Sequence, residues 1–118
     1  MKNIRFLFYT LILLHSGIYS QLPDSLNSKL RSIYSIKDNK SKAKELEYFT
    51  KSHLFKDLSV SIKNSKELIR LAKLNKDEKA LATAFNVRGL TEIYSDNNDL
   101  GIAYFDSSRK ICIKFYCR

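Results

Sequence analysis

The chain has 118 residues, 21 basic and 12 acidic, with three glycines, one proline and two cysteines, which suits one small domain or a short array of repeats. Its net charge of +9 is dispersed among acids, as in "KSKAKELEY" and "KLNKDEKA", which points to solvated helix surfaces and away from a nucleic-acid-binding block. Cys112 and Cys117 stand five apart, about 500° round a straight helix, with no further ligand residues beside them; a metal site is not expected, and a disulfide would need the helix to end between them.

The N-terminus carries Lys2 and Arg5 and then "FLFYTLILLHSGIYSQ", with no acid before Asp24. A charged start, a short apolar run and small residues near Ser20 read as a signal peptide over residues 1–20. The run falls short of a comfortable ~20-residue span, so an uncleaved membrane anchor is the alternative. The expected location is periplasmic or secreted, and export argues further against nucleic acid.

Pro23 and Asp24 then open a lead helix, with Leu26, Leu30 and Ile33 along one face; this helix and the turn "KDNKS" occupy residues 22–40. A second helix through "AKELEYFTKSHLF" places Leu46, Phe49 and His53 on one side. A third, "KDLSVSIKNSKELIRLAKL", has Leu58, Ile62 and Ile69 at apolar positions, so residues 41–75 form a first helix pair. After "NKDE", the helices "KALATAFNVRGLTEIY" and "LGIAYFDSSRKICIKF", separated by "SDNND", form a second pair over residues 77–115. No alternating strand pattern competes, and the fold class is all-α.

The stretch "KDLSVSIKNS" recurs 42 residues later as "NDLGIAYFDS", matching Asp57 with Asp99, Leu58 with Leu100 and Ser65 with Ser107. Asp57 and Asp99 are expected to cap helix starts, Ser61 and Ala103 to allow close approach, and Ile69 and Ile111 to fill the seam beyond. One pair alone leaves an apolar face exposed, and stacking a second covers it, which is the logic of a helical-repeat solenoid.

In "LTEIYSDNNDLGIA", Leu90, Tyr94 and Ala103 are spaced as the Leu, the Tyr four later and the small residue nine beyond it in a tetratricopeptide repeat. The chain resembles that family over about residues 22–113. Asn98 stands where the family's inter-helix turn has Gly, and Asn tolerates left-handed backbone angles. The departures are Thr91 in the place of the Gly that follows Leu90, Gly89 two positions early, Lys110 at a later Ala position, Ser52 in place of the first repeat's Tyr, and no closing Pro. The 42-residue period exceeds the ~34 of the plain repeat and overlaps that of HEAT-type pairs, while the Leu–Tyr–Ala spacing favours the tetratricopeptide kind. The layout is similar to the exported N-terminal region of Bacteroidetes-type tetratricopeptide proteins, many of which continue into a transmembrane helix and a histidine kinase or DNA-binding output domain.

The resemblance implies stacked antiparallel helix pairs behind a lead helix, and non-catalytic recognition of a protein or peptide. The alternative it implies is a truncated extracytoplasmic input region of a membrane histidine kinase or transcriptional regulator. Two pairs fall short of the three repeats usually needed, which suits a truncated relative, or one whose missing cover comes from a partner or from self-association. With Tyr94 as the packing Tyr, Val87, Leu90 and Tyr94 face inward, and Arg88, Glu92 and Ser95 line the groove, joined by His53 from the second helix. Arg88 and Glu92, four apart, also suit a plain helical ion pair worth ~0.3–0.5 kcal/mol. Tyr94, Tyr104 and Phe105 read as core, as do Tyr48 and Phe49, of which only one can point fully inward. With no GxSxG, HExxH, P-loop or glycine-rich phosphate cradle, and one histidine outside the signal, the expectation is no enzyme, no cofactor, no metal and no small-molecule substrate.

Overall fold

A computed structural model of the chain describes residues 22–115. The expected signal peptide and Cys117 lie outside them. The described residues form five helices and no strand: α1 (Asp24–Tyr34), α2 (Asn39–Ser52), α3 (Leu58–Leu74), α4 (Glu78–Tyr94) and α5 (Asn98–Phe115).

Short aspartates set most of the starts. Asp38, Asp57 and Asp77 each accept a bond from the amide three residues on, at Ser41 (2.9 Å), Val60 (3.2 Å) and Ala80 (2.9 Å). The Ser41 hydroxyl also donates to Asp38, and these bonds hold that carboxyl below its ordinary range. Pro23 precedes α1 without a side-chain cap, as its fixed φ allows, and Asp24 follows in the positive first turn.

The connections from α3 to α4 and from α4 to α5 are alike. Lys76 (φ 53°) and Asp96 (φ 64°) take left-handed angles. The next amide reaches back to the helix, Asp77 N–H to Ala72 O (3.0 Å) and Asn97 N–H to Glu92 O (2.8 Å), as in a Schellman turn. Each turn therefore fixes where the following helix begins. Helices α3, α4 and α5 start at residues 58, 78 and 98.

This spacing corrects the 42-residue register. Asp57 caps α3 as expected, but Asp99 lies inside the first turn of α5, and Asn97 occupies the position before it, its carbonyl accepting from Gly101 N–H (2.9 Å). The match runs over forty residues. The buried α3 face of Ser61, Asn64, Ser65, Leu68, Leu71 and Ala72 corresponds to Gly101, Tyr104, Phe105, Ser108, Ile111 and Cys112 on α5, all buried or half-buried. Ala103, expected at the close approach, is exposed. Two residues turn a helix by about 200°, so the shift moves a side chain to the opposite side.

The apolar core lies where α1, α2 and α3 meet, built from Leu22, Ile33, Leu46, Phe49, Leu68 and Leu71, with Ala84 arriving from α4. Leu26 and Leu30 pack against it beside Ile33 as their spacing predicts, as does Ile69. Of the two neighbouring rings only one turns inward, as their adjacency requires: Phe49 is buried and Tyr48 is exposed. Polar ties complete this end. The half-buried Tyr34 hydroxyl of α1 donates to Asn64 Oδ1 of α3 (2.8 Å), and Ser61 Oγ donates to Leu54 O (2.8 Å).

Helices α4 and α5 meet backbone to backbone. A Cβ built on Gly89 would lie 2.9 Å from the Phe105 ring and 3.0 Å from Gly101 O; one built on Gly101 would lie 2.5 Å from Ile93 Cγ1 and 2.9 Å from Gly89 O. Ser108 Oγ donates to Ala82 O (2.8 Å) farther along the same seam.

Gly101→Ala is therefore expected to lower the unfolding free energy by about 1–2 kcal/mol, overpacking outweighing a helix-propensity gain of about 1 kcal/mol. Urea denaturation measures this, and a variant as stable as the parent would count against the crossing. Tyr34 supplies a second test. Burial, followed by the Glu67 carboxylate, raises its hydroxyl from 10.0 to about 12. The folded state thus holds a proton that the unfolded chain releases, so its contribution is complete below pH 10 and is lost as pH rises towards 12. The decline in melting temperature across that window is expected to be shallower in Tyr34→Phe.

Candidate interaction surface

Of the four residues expected to bind a partner, Arg88 and Glu92 do not reach the surface. Arg88 and Glu92 are only 6% and 2% exposed, within the helix layer rather than on a groove. Arg88 Nη2 lies 2.6 Å and Nε 2.7 Å from Glu92 Oε1, a buried fork of charge-assisted bonds. Asn97 Nδ2 donates to Glu92 Oε2 (2.9 Å), Arg88 Nη1 to Ile62 O (3.4 Å), and the guanidinium carbon lies 5.4 Å from the centre of the Tyr104 ring. This cluster ties α3, α4 and α5 together. No buried side-chain N or O among the described residues lacks a hydrogen-bond partner.

Ser95 and His53 end helices. Ser95 is the residue after α4, its hydroxyl donating to Thr91 O (2.8 Å). His53 stands at the same place after α2, half-buried, with Nδ1 2.9 Å from Phe49 O and its ring 4.6 Å from that of Phe49. Burial takes Arg88 and Glu92 out of an open groove, while Ser95 and His53 keep part of their surface exposed. The pairing of Arg88 with Glu92 does occur, as a buried pair rather than a surface one.

The inward face of α4 is corrected too. Val87 is buried, but Leu90 is exposed and Tyr94 is 58% exposed. Gly89 must face Gly101, which turns Arg88 and Glu92 inward and Leu90 and Tyr94 outward. The exposed side of α4 runs through Lys79, Asn86, Leu90 and Tyr94, spaced seven, four and four.

At the C-terminal ends of α2 and α4, Phe55 joins this surface. Its ring, 59% exposed, lies 4.3 Å from that of Tyr94 at 52°. Sequence reasoning missed Phe55. The signal was an aromatic in a connection, where no helical register exists to bury it. At the N-terminal ends of α2 and α4, an open recess of about 620 Å³ is lined by Lys40, Lys44 and Glu47 of α2, the Asn75–Glu78 turn and Phe115. Lys40, Lys44, Glu47 and Lys51 climb one side of α2 from that recess towards Phe55, Lys51 pairing with Glu47 at 2.8 Å. Among the described residues no cluster of His, Cys, Asp or Glu is placed to hold a metal ion, and no helix is long and apolar enough to cross a membrane.

Compared with protein-family models, curated proteins and solved structures, the chain finds no match.

The buried pair yields a measurable asymmetry. Arg88→Met alone leaves a buried carboxylate without its cation and is expected to cost about 3–5 kcal/mol, whereas Arg88→Met with Glu92→Met recovers most of that loss. A double-mutant cycle by urea denaturation reads the coupling, and additive costs would argue against a buried pair.

Proposed function

We infer that this chain is an exported, non-catalytic helical-repeat module of the tetratricopeptide kind, which recognises another protein or peptide along its α2–α4 side. The observation that carries this reading is the Phe55–Tyr94 pair. Two exposed aromatic rings lie against each other at a tilt beside the ends of α2 and α4, with Leu90 one turn away. Exposed aromatics on a fixed scaffold suit recognition, because they offer large contact area with little entropy left to lose.

The repeat reading gains support from the corrected register. Moved back by two residues, the motif's Leu, Gly, Tyr and small positions fall on Arg88, Gly89, Glu92 and Gly101. Gly89 and Gly101 meet the two close-approach requirements, and the two packing positions hold the buried ion pair. The N-terminal run "FLFYTLILLHSGIY" supports export.

Selection of peptides from a random library against the full chain tests the proposal. Selected peptides are expected to bind about tenfold or more weakly to Phe55→Ala and Tyr94→Ala, with melting temperatures near the parent's, and equally well to Ser28→Ala on exposed α1. A failure to select any peptide, or binding indifferent to both aromatic changes, would overturn it.

A further inference from the structure

The two ends of the helix array differ in chemistry. The exposed side of α1 carries Asp24, Ser25, Ser28, Lys29, Arg31 and Ser32, a polar cap. The α5 end instead exposes large apolar side chains, with Ile102 at 59% and Ile113 at 52%. The forty-residue register gives the reason. The α3 counterparts of Ile102 and Arg109 are Ile62 and Ile69, both half-buried, with Arg88 of α4 bonded to Ile62 O, while those of Asp106 and Ile113 are the exposed Lys66 and Lys73. On α5 the equivalent side has no helix over it among the described residues.

The sequence of that side is specific. Ile102, Asp106, Arg109 and Ile113 are spaced four, three and four, so they form one stripe along α5. The Asp106 and Arg109 side chains are 42% and 67% exposed. Read in either direction the stripe is apolar, charged, charged, apolar, with the charges opposite in sign. Two such helices laid antiparallel about a two-fold axis between residues 107 and 108 set Ile102 against Ile113, and Asp106 against Arg109, twice over. A parallel arrangement would set Asp106 against Asp106 and Arg109 against Arg109. The stripe therefore complements a second copy of itself in one orientation only.

We propose that two copies of this chain associate as an isologous, two-fold dimer through antiparallel packing of α5 along the Ile102–Asp106–Arg109–Ile113 stripe. Asp106 within one copy already lies 2.9 Å from Arg109 and 3.2 Å from Lys110, so its carboxylate exchanges or shares these partners with the Arg109 of the second copy. The contact is one helix per copy, about 27 Å long at 1.5 Å per residue, which makes it a small and reversible interface. It involves neither Phe55, Leu90 nor Tyr94, and stands independently of the peptide-recognition reading.

Sedimentation equilibrium of the full chain, over about 10 µM to 1 mM, tests the proposal. The expected result is a concentration-dependent shift from one chain mass to two. Asp106→Arg and Arg109→Asp each place like charges opposite one another and are expected to weaken association about tenfold or more. An equimolar mixture of the two variants restores opposite charges at both positions and is expected to return to within about threefold of the parent. Ile113→Lys is expected to abolish association without changing the helical circular dichroism, since Ile113 is exposed. A parent that stays monomeric at every concentration would overturn the dimer. So would association indifferent to both charge variants, assembly beyond two copies, or a mixture that fails to recover.

Discussion

The contact between Gly89 and Gly101 decides how α4 is turned about its own axis. A carbonyl from each helix lies within about 3 Å of where the other's side chain would begin, an approach that a residue without a Cβ allows. Everything on α4 follows from that rotation. Ala82 and Val87 turn inward, and so do Arg88 and Glu92, although charged side chains are seldom fully buried. Leu90 and Tyr94, large side chains on the same helix, are left exposed. A short-range steric requirement thus outranks the hydrophobic preference of individual residues.

The cost of that arrangement is contained by geometry. An isolated buried charge would be prohibitive, but Arg88 and Glu92 are one helical turn apart and meet through two guanidinium nitrogens. The remaining capacity of each is taken up, Glu92 by Asn97 and Arg88 by Ile62 O and the Tyr104 face. Asn97 is also the residue that precedes α5. The buried charge cluster, the turn and the start of the last helix are therefore parts of one structure. Such a cluster adds less to stability than an apolar core of the same volume, but it tolerates few alternative packings of α3, α4 and α5.

Much of the fold was legible because it is written in local chemistry. The aspartate before α3 and the apolar spacings of α1 and α2 each act over four or five residues. In "SDNND", Asp96, Asn97, Asn98 and Asp99 are all acceptable near a helix start, and identity with Asp57 favoured Asp99. What chooses among them is the backbone turn, with Asp96 left-handed and Asn97 bonded back to Glu92, and that choice depends on three-dimensional closure. Two residues of error then rotated the whole assignment by about 200°, so Arg88 and Glu92 were placed outside and Leu90 and Tyr94 inside. Gly89 was the visible clue, standing two positions early in the motif by the same two residues. Phe55 had no periodic pattern to reveal it, since its exposure comes from the meeting of two helix ends.

The placement of the recess and the aromatic pair at opposite ends of α4 has a dimensional consequence. From the first turn of α4 to Tyr94 the helix rises about 22 Å. An extended chain advances about 3.3 Å per residue, so a strand lying along α4 must run for roughly seven residues before it touches both the lysines of the recess and the rings of Phe55 and Tyr94. A shorter segment meets one end or the other. Length alone would then separate weak single-ended contacts from two-ended ones, in which the second contact forms at the high effective concentration set by the first.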